Sequence, residues 1–392
     1  MRLAYGLSGA TDTLGESLVA QHPSNTHPAP VKFSTSEPET VISFERMKEV
    51  NIRGIDGSLY AVNADGQWKW LCTNLVRIVC ASGPKERPFE HILANSELIG
   101  LPDAYTDTRY GFAEDHRWGD GPTIANAYFD RQRGNIIAFV HTEWTLPSRD
   151  GTYFRLGLAV SKDGGMSFRW CGHIIEPELS YQTWFDHWRG GRVGGHHPYA
   201  NIGLANYVVK DGYFYLYYTD TRDRPDAFIQ GTAVARAAVD EVLAAADKFQ
   251  TCPWHKFFEG DWTESGRNGR FTALNLEPKG YLHGDAAYND YLDQFVLVTR
   301  HGKHTGPDGR PLETGSILIA FSPDGIHWSD WQVVHSDNHL HDYPSIVSTG
   351  EDNEVVGKSF WVYYKYCFND ILPKWDWYTN RWDRVLVTLE DR

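Results

Sequence analysis

Five short segments of the 392-residue chain open on turn-forming residues and carry an acid or a histidine just before an apolar run. They are GIDGS (54–58), GDGPT (119–123), GHHPY (195–199), HGDAA (283–287) and HDYPS (341–345). Asp56, Asp120 and Asp285 stand at matching places in three of them, and Asp342 adds an acid in the fifth. An aspartate beside glycine or proline also caps a turn, because its carboxylate bonds nearby backbone. One such acid would mean only a turn. Four in register around one point are harder to explain that way. Like charges brought together raise at least one pKa, which splits a carboxylate pair into a proton donor and a base or nucleophile.

The elements that would position these residues repeat. Each segment leads into a strand, a polar turn and a strongly apolar strand: 54–74 turning at Asp65-Gly66, 119–144 turning near Arg133-Gly134, and 195–220 turning at Asp211-Gly212. The fourth and fifth units are 283–302 and 341–366. Two related hairpins, SKDGGMSFRW (161–170) and SPDGIHWSDWQ (322–332), follow the strand pairs of the second and fourth units. Asp-Gly between two strand-like runs is a strong hairpin signal, and each hairpin should join the two outer strands of its unit. Five units of about four strands predict an all-β, five-bladed β-propeller with long loops. Residues 1–45, polar and rich in Pro, Ser and Thr, read as an arm or closing segment, and 46–392 as one propeller. AVARAAVDEVLAAADKF (233–249) reads as the one amphipathic helix, packed outside the third blade.

If each blade starts at its innermost strand, the five segments converge on one mouth of the central channel, and the second strands end there too. The segments would bring Asp56, Asp120, His196, His197, Asp285, His341, Asp342 and Tyr343 to that mouth. The second-strand ends would bring Asn74, His141, Glu143, Asp220, Arg222, Arg300, His301 and Lys365. Stretches 144–154, 180–195 and 255–271 are long Trp/Gly/Arg loops of the kind that carry function on a rigid scaffold. The chain holds 15 Trp, enough both to anchor sheet cores and to offer sugar-stacking faces, with Trp184, Trp188 and Trp262 as the stacking candidates.

With 37 Lys+Arg against 51 Asp+Glu, the net charge of -14 argues against nucleic acid or an anionic membrane surface as the main partner. No apolar run approaches the roughly 18 residues of a membrane-spanning helix. The N-terminus MRLAYGLSGATDTLGES has no charged n-region followed by an apolar stretch, so no signal peptide is visible. That fits a cytoplasmic chain or a trimmed secreted or periplasmic one. Cys72, Cys80, Cys171, Cys252 and Cys367 form no CxxC pair, which argues against a zinc site or a disulfide framework. The 17 histidines include His141, His196, His197, His283 and His301, but HExxH-like ligand spacing is absent, so substrate hydrogen bonding is the better expectation and any metal stays unassigned.

In order along the chain, GIDGS, YVVKDGYFYLYYTD (207–220), GDAAYNDYLDQFVLV (284–298), SPDGIHW (322–328) and the closing YPSIV (343–347) with FWVYY (360–364) carry a resemblance. The set, spanning about residues 50–366, resembles the five-bladed propeller glycosidases of the furanosidase-like superfamily: arabinanases, β-xylosidases, α-L-arabinofuranosidases and fructan hydrolases. The resemblance implies a glycoside hydrolase acting on a furanoside- or pentose-containing carbohydrate, with Asp56 as base or nucleophile and Asp120 tuning it. The superfamily usually places its acid, a glutamate, at the head of a middle blade, and GHHPY has none. Glu143 is the substitute, Asp285 the next candidate, and a histidine (His196, His197 or His301) a further one. No cofactor is required; some relatives carry an axial calcium or other ion. Two alternatives stand beside this reading. One is a polysaccharide lyase with His197 or Tyr343 as base and Arg222 or Arg300 neutralising a uronate; the other is a non-catalytic propeller lectin. Five units rather than six, without an arginine triad, disfavour a sialidase. The oligomeric state stays open.

Overall fold

The structure, a computed structural model, describes residues 27–52, 57–74, 77–101, 122–143, 152–189, 199–224, 227–276, 282–305, 311–337, 339–367 and 380–391. An N-terminal stretch forms β1 (Phe33–Thr35), β2 (Glu39–Ile42) and α1 (Phe44–Glu49). The first blade follows as β3 (Tyr60–Ala64), β4 (Gln67–Asn74), β5 (Arg77–Ser82) and β6 (His91–Ile99). The second is β7 (Pro122–Asp130), β8 (Asn135–Thr142), β9 (Thr152–Ser161) and β10 (Phe168–Ile175). After α2 (Tyr181–Arg189) and the short β11 (Tyr199–Asn201), the third blade runs β12 (Asn206–Lys210), β13 (Tyr213–Arg224), β14 (Ala227–Ala238), α3 (Val239–Ala246), β15 (His255–Phe258) and β16 (Asp261–Ser265). The fourth is β17 (Gly284–Asn289), β18 (Gln294–Thr305), β19 (Pro311–Ser322) and β20 (Gln332–Ser336). The fifth is β21 (Leu340–Ser348), β23 (Ser359–Cys367) and β24 (Asn380–Leu389), with β1 and β2 both pairing antiparallel to β24; the intervening β22 (Val355–Val356) pairs parallel to β17 of the fourth blade.

Local chemistry sets the meanders. Asp65-Gly66 and Asp211-Gly212 have positive φ at both residues (53° and 83°, 50° and 78°), as a two-residue type I′ turn requires. They lock β3 to β4 from Ala64↔Gln67 and β12 to β13 from Lys210↔Tyr213. The two Ser-x-Asp-Gly hairpins join the third and fourth strands of their blades and repeat one bonding pattern. Ser161 Oγ and Ser322 Oγ each face the following aspartate, at 2.7 and 3.1 Å from Oδ1, and each accepts a glycine N–H at 2.8 Å. The aromatic beyond each turn, Phe168 or Trp328, is buried.

The innermost strands close a ring. β3 packs on β7, β7 on β12, β12 on β17 and β17 on β21. The circuit is completed between β21 and β3: Ser345 Oγ donates to Leu59 O (2.8 Å), Ser58 Oγ to Pro344 O (3.0 Å) and Asn353 Nδ2 to Ala61 O (2.9 Å). This closed ring of meanders is a β-propeller. At the rim the outer strands of the first two blades also pair, β6 parallel to β10, which covers two sheet edges at once. No helix among the described residues is long and apolar enough to cross a membrane. Cys72, Cys80, Cys171 and Cys252 are free.

Two expectations need correcting. Residues 233–238 are strand, because β14 pairs with β13 without a break from Tyr213↔Ala238 to Arg224↔Ala227; only Val239–Ala246 is helical. Tertiary pairing has overridden an alanine-rich helix preference. The stretch 255–271 is mostly the β15–β16 hairpin and 180–195 contains α2, so neither is simply a loop. The N-terminal stretch, read as an arm or closing segment, supplies two short strands on β24 and a helix.

Trp328 links two blades: its ring is fully buried, lies 5.4 Å edge-on to Tyr217 of the third blade, and donates Nε1–H to Gly325 O at 3.2 Å. Trp328→Ala should lower unfolding free energy by about 3–5 kcal/mol, read by denaturant titration. A loss below about 1 kcal/mol, the usual cost of a surface change, would show that the hairpin is not a structural wedge.

Candidate active site

Asp285, the second residue of β17, carries a carboxylate that joins three inner strands. Oδ1 accepts Asn126 Nδ2–H from β7 and the Ala286 N–H, both at 2.8 Å, and Oδ2 accepts the Ile346 N–H of β21 at 2.9 Å. β-Bulges between Ile124 and Asn126 and between Asp342 and Ser345 re-aim the inner strands at this level. Burial dominates its titration: it pushes the carboxyl up to about 7, against the pull of the Ile346, Asn126 and Ala286 donors.

A second carboxylate, Asp342 on β21, is its electrostatic opposite. Oδ2 is 3.0 Å from Arg300 Nη1 on β18, and Oδ1 is 3.4 Å from His283 Nδ1 and accepts the Tyr343 N–H at 2.8 Å. Burial would raise its pKa, but Arg300, then His283 and Lys365, outweigh it and hold it at about 2. Tyr343 occupies the bulge with φ +49°, a left-handed conformation that a bulky residue rarely adopts. Its ring stacks 4.9 Å from His283 at 8°, and Lys365 Nζ sits 5.0 Å from its centroid. Backbone strain held in this way concentrates at functional sites. His301, next to Arg300 on β18, is half-buried and paired in register with Ser316.

His141 and Glu143, two residues apart at the end of β8, share a face. His141 Nε2 lies 2.7 Å from the Ile202 carbonyl, which can only accept, so Nε2 carries a hydrogen. In the neutral ring Nδ1 is then a bare acceptor, and it faces Glu143 Oε1 at 3.2 Å. The buried Nδ1 makes no hydrogen bond in that geometry, so the two groups are neighbours rather than a bonded pair.

Other expected residues sit elsewhere. Asp220 is fully buried at the far end of β13, its Oδ2 2.8 Å from Lys256 Nζ, which is buried too and also donates to Glu176 O at 2.9 Å. This pair ties β13 to β15 and does not meet solvent. Trp184 is fully buried against Tyr153 and Tyr181, so its ring has no face to offer a sugar. Trp262 lies on β16, the outermost strand of its blade, beside Arg236 at 4.4 Å and away from the mouth. Asp56, Asp120, His196 and His197 lie outside the described residues, as do the side chains of Arg222 and Trp188. Asn126 and Lys256 escaped the sequence reading. Asn126 left a trace, a polar residue flanked by apolar ones in PTIANAYFD, whereas Lys256 in HKFF left none.

An axial calcium is not supported by the described part of the channel. Calcium takes six to eight oxygens, whereas Asp285 already spends both its oxygens on three N–H donors.

No protein-family profile and no curated protein matches the chain. Among solved structures it is similar to the catalytic domain of a GH62 α-L-arabinofuranosidase from Coprinopsis cinerea (11% identity, TM-score 0.45, covering 92% of this chain and 97% of that one). It is also similar to the α-L-arabinofuranosidase PaAbf62A from Podospora anserina (8%, 0.47, 92% and 97%) and to an N-acetylgalactosamine deacetylase from F. plautii (12%, 0.43, 94% and 92%). The propeller assignment rests on the strand pairing and the inner ring described above.

Because Asp285 titrates near 7 in the fold and near 3.9 in an unfolded chain, the folded state binds more protons between those values. Its contribution to stability is full below about pH 4 and is lost as pH rises through about 7. The unfolding free-energy difference between wild type and Asp285→Asn should therefore shrink from pH 4 to pH 8 in parallel denaturant titrations. A difference constant over that range would show that Asp285 stays ionised in the fold.

Proposed function

We propose that this protein is a glycoside hydrolase acting at the channel mouth on a furanoside- or pentose-containing oligo- or polysaccharide. The observation that carries this reading is the His141–Glu143 pair, a carboxyl and an imidazole 3.2 Å apart at the end of a second strand. A carboxyl in its acid form there would supply the proton that a departing glycosidic oxygen needs. Asp56, at the head of the first blade, is the base or nucleophile, and Asp120 the acid that tunes it. Asp342, Arg300, His283 and Tyr343 supply charged and aromatic groups for sugar hydroxyls and ring faces. The lyase alternative needs Arg222 or Arg300 to neutralise a uronate, and the Arg300 guanidinium already pairs with Asp342 at 3.0 Å.

A polysaccharide panel including arabinans, galactans and fructans, read by reducing ends and chromatography, should reveal turnover. Asp56→Asn should cut kcat by about 10³-fold or more while substrate binding persists. Retention of more than about a tenth of activity would remove Asp56 from the mechanism, and binding without turnover in the wild type would favour a lectin. A product absorbing near the ultraviolet edge would favour a lyase.

Glu143→Gln separates the donor role from a binding role. Loss should be severe on natural substrates and small on aryl glycosides, whose leaving groups need little protonation. Equal loss on both would assign Glu143 to binding and move the acid to Asp285 or a channel histidine.

A further inference from the structure

The connection between the fourth and fifth blades reads HSDNHLH (335–341), and it folds its polar side chains onto one another. We propose that His335, Asp337 and His341 bind one divalent transition-metal ion at this junction, off the channel axis. β20 ends at Ser336 and β21 begins at Leu340, so the short connection brings the rings of His335 and His341 to 4.8 Å, with Asp337 between them. His341 Nε2 is 2.8 Å from Asp337 Oδ1, and His335 Nε2 is 3.7 Å from Oδ2. One donor atom from each residue lies within 4.8 Å of the others. An ion held at about 2.0–2.2 Å from N and O ligands spaces those ligands roughly 3–4 Å apart, so little movement is required.

The donor set selects the metal class. Two imidazoles with one carboxylate suit zinc and its first-row neighbours, whereas calcium and magnesium take oxygen ligands. The rings are already walled in. His335 stacks on Tyr364 at 5.3 Å, and His341 sits edge-on to Tyr364 at 5.0 Å and 5.3 Å from Tyr366. His341 is fully buried, and its second nitrogen, Nδ1, finds no hydrogen-bond partner among the described residues, so its own strand does not orient it. Asp337 is braced from outside, with Oδ1 accepting the His339 N–H at 2.7 Å and lying 3.2 Å from His339 Nδ1. Ordinary imidazole–carboxylate bonding explains His341 and His339, but leaves His335 turned toward Oδ2 at 3.7 Å without a bond.

The site is separate from the channel cluster. His341 and Asp342 are consecutive on β21, with Asp342 directed to Arg300 and His283 and His341 to Asp337. The ion clamps the connection from which Asp342 and Tyr343 are presented. This assignment does not depend on the carbohydrate reading.

The test uses the full chain, stripped with chelator and titrated with Zn²⁺ against a chromogenic competitor. One equivalent should bind, and the Co²⁺ adduct should absorb in the visible without the charge-transfer band of a thiolate ligand. His335→Ala and Asp337→Asn should each weaken Zn²⁺ by more than about 100-fold, beyond what loss of an outer-shell partner costs, with an unchanged far-ultraviolet dichroism spectrum. His255→Ala, on the remote β15, should leave binding as it was. Absence of binding at micromolar Zn²⁺, a thiolate signature, or binding that survives both variants would overturn the proposal. If His335→Ala fails to fold, the near-isosteric Asp337→Asn at a partly exposed position decides the question alone.

Discussion

The carboxylate of Asp285 is the constraint around which the propeller is organised. Backbone pairing between blades, such as β6 with β10, links neighbours at the rim, so order across the channel must come from elsewhere. Here the second and fourth blades, which are not neighbours in the ring, meet directly through Asn126 and Asp285, and the fifth joins through the Ile346 N–H. One side-chain hydrogen bond of 2.8 Å makes the link between the second and fourth blades. The same contacts explain both bulges, since each lets an inner strand present a group to the axis without breaking the ladder behind it.

Above that level the mouth holds a carboxylate with the opposite electrostatics. Asp285 lacks a cation among its influences and is driven up by burial, whereas Asp342 is surrounded by Arg300, His283 and Lys365 and is driven down. Two buried acids on successive inner strands thus titrate far apart. Environment alone makes one a group that changes charge near neutrality and the other a fixed negative charge. That fixed charge also holds the strained Tyr343 through its N–H and keeps His283 against the tyrosine ring.

The His141–Glu143 pair is held by a longer chain of contacts. Lys256 fixes Asp220, Asp220 bridges to Ile202, and the Ile202 carbonyl sets which nitrogen of His141 carries hydrogen. A buried ion pair is a poor source of net stability but a strict one in geometry. Asp220, expected at the channel mouth, is instead buried against Lys256 and bridges by backbone to Ile202.

The all-β propeller class, the turn positions at Asp65-Gly66 and Asp211-Gly212 and the two Ser-x-Asp-Gly hairpins were legible in the amino-acid sequence. All of these rest on local rules: period-two alternation, residues that accept positive φ, and side chains that bond their own turn. The inner-strand origin of Asp285, Asp342 and Tyr343 followed from the repeat in the same way. Only tertiary contacts decided that Asp220 points into a buried lysine, that Trp184 is core and that residues 233–238 pair as strand against an alanine-rich helical pattern. The histidines of 335–341 lacked a recognisable ligand motif because their convergence depends on how β20 turns into β21, which no spacing along one strand or helix expresses. Residue type and spacing determine what a segment can be. Which of its groups are buried, paired or opposed depends on strands that are distant in the chain, and burial and pairing are what set charge and proton affinity.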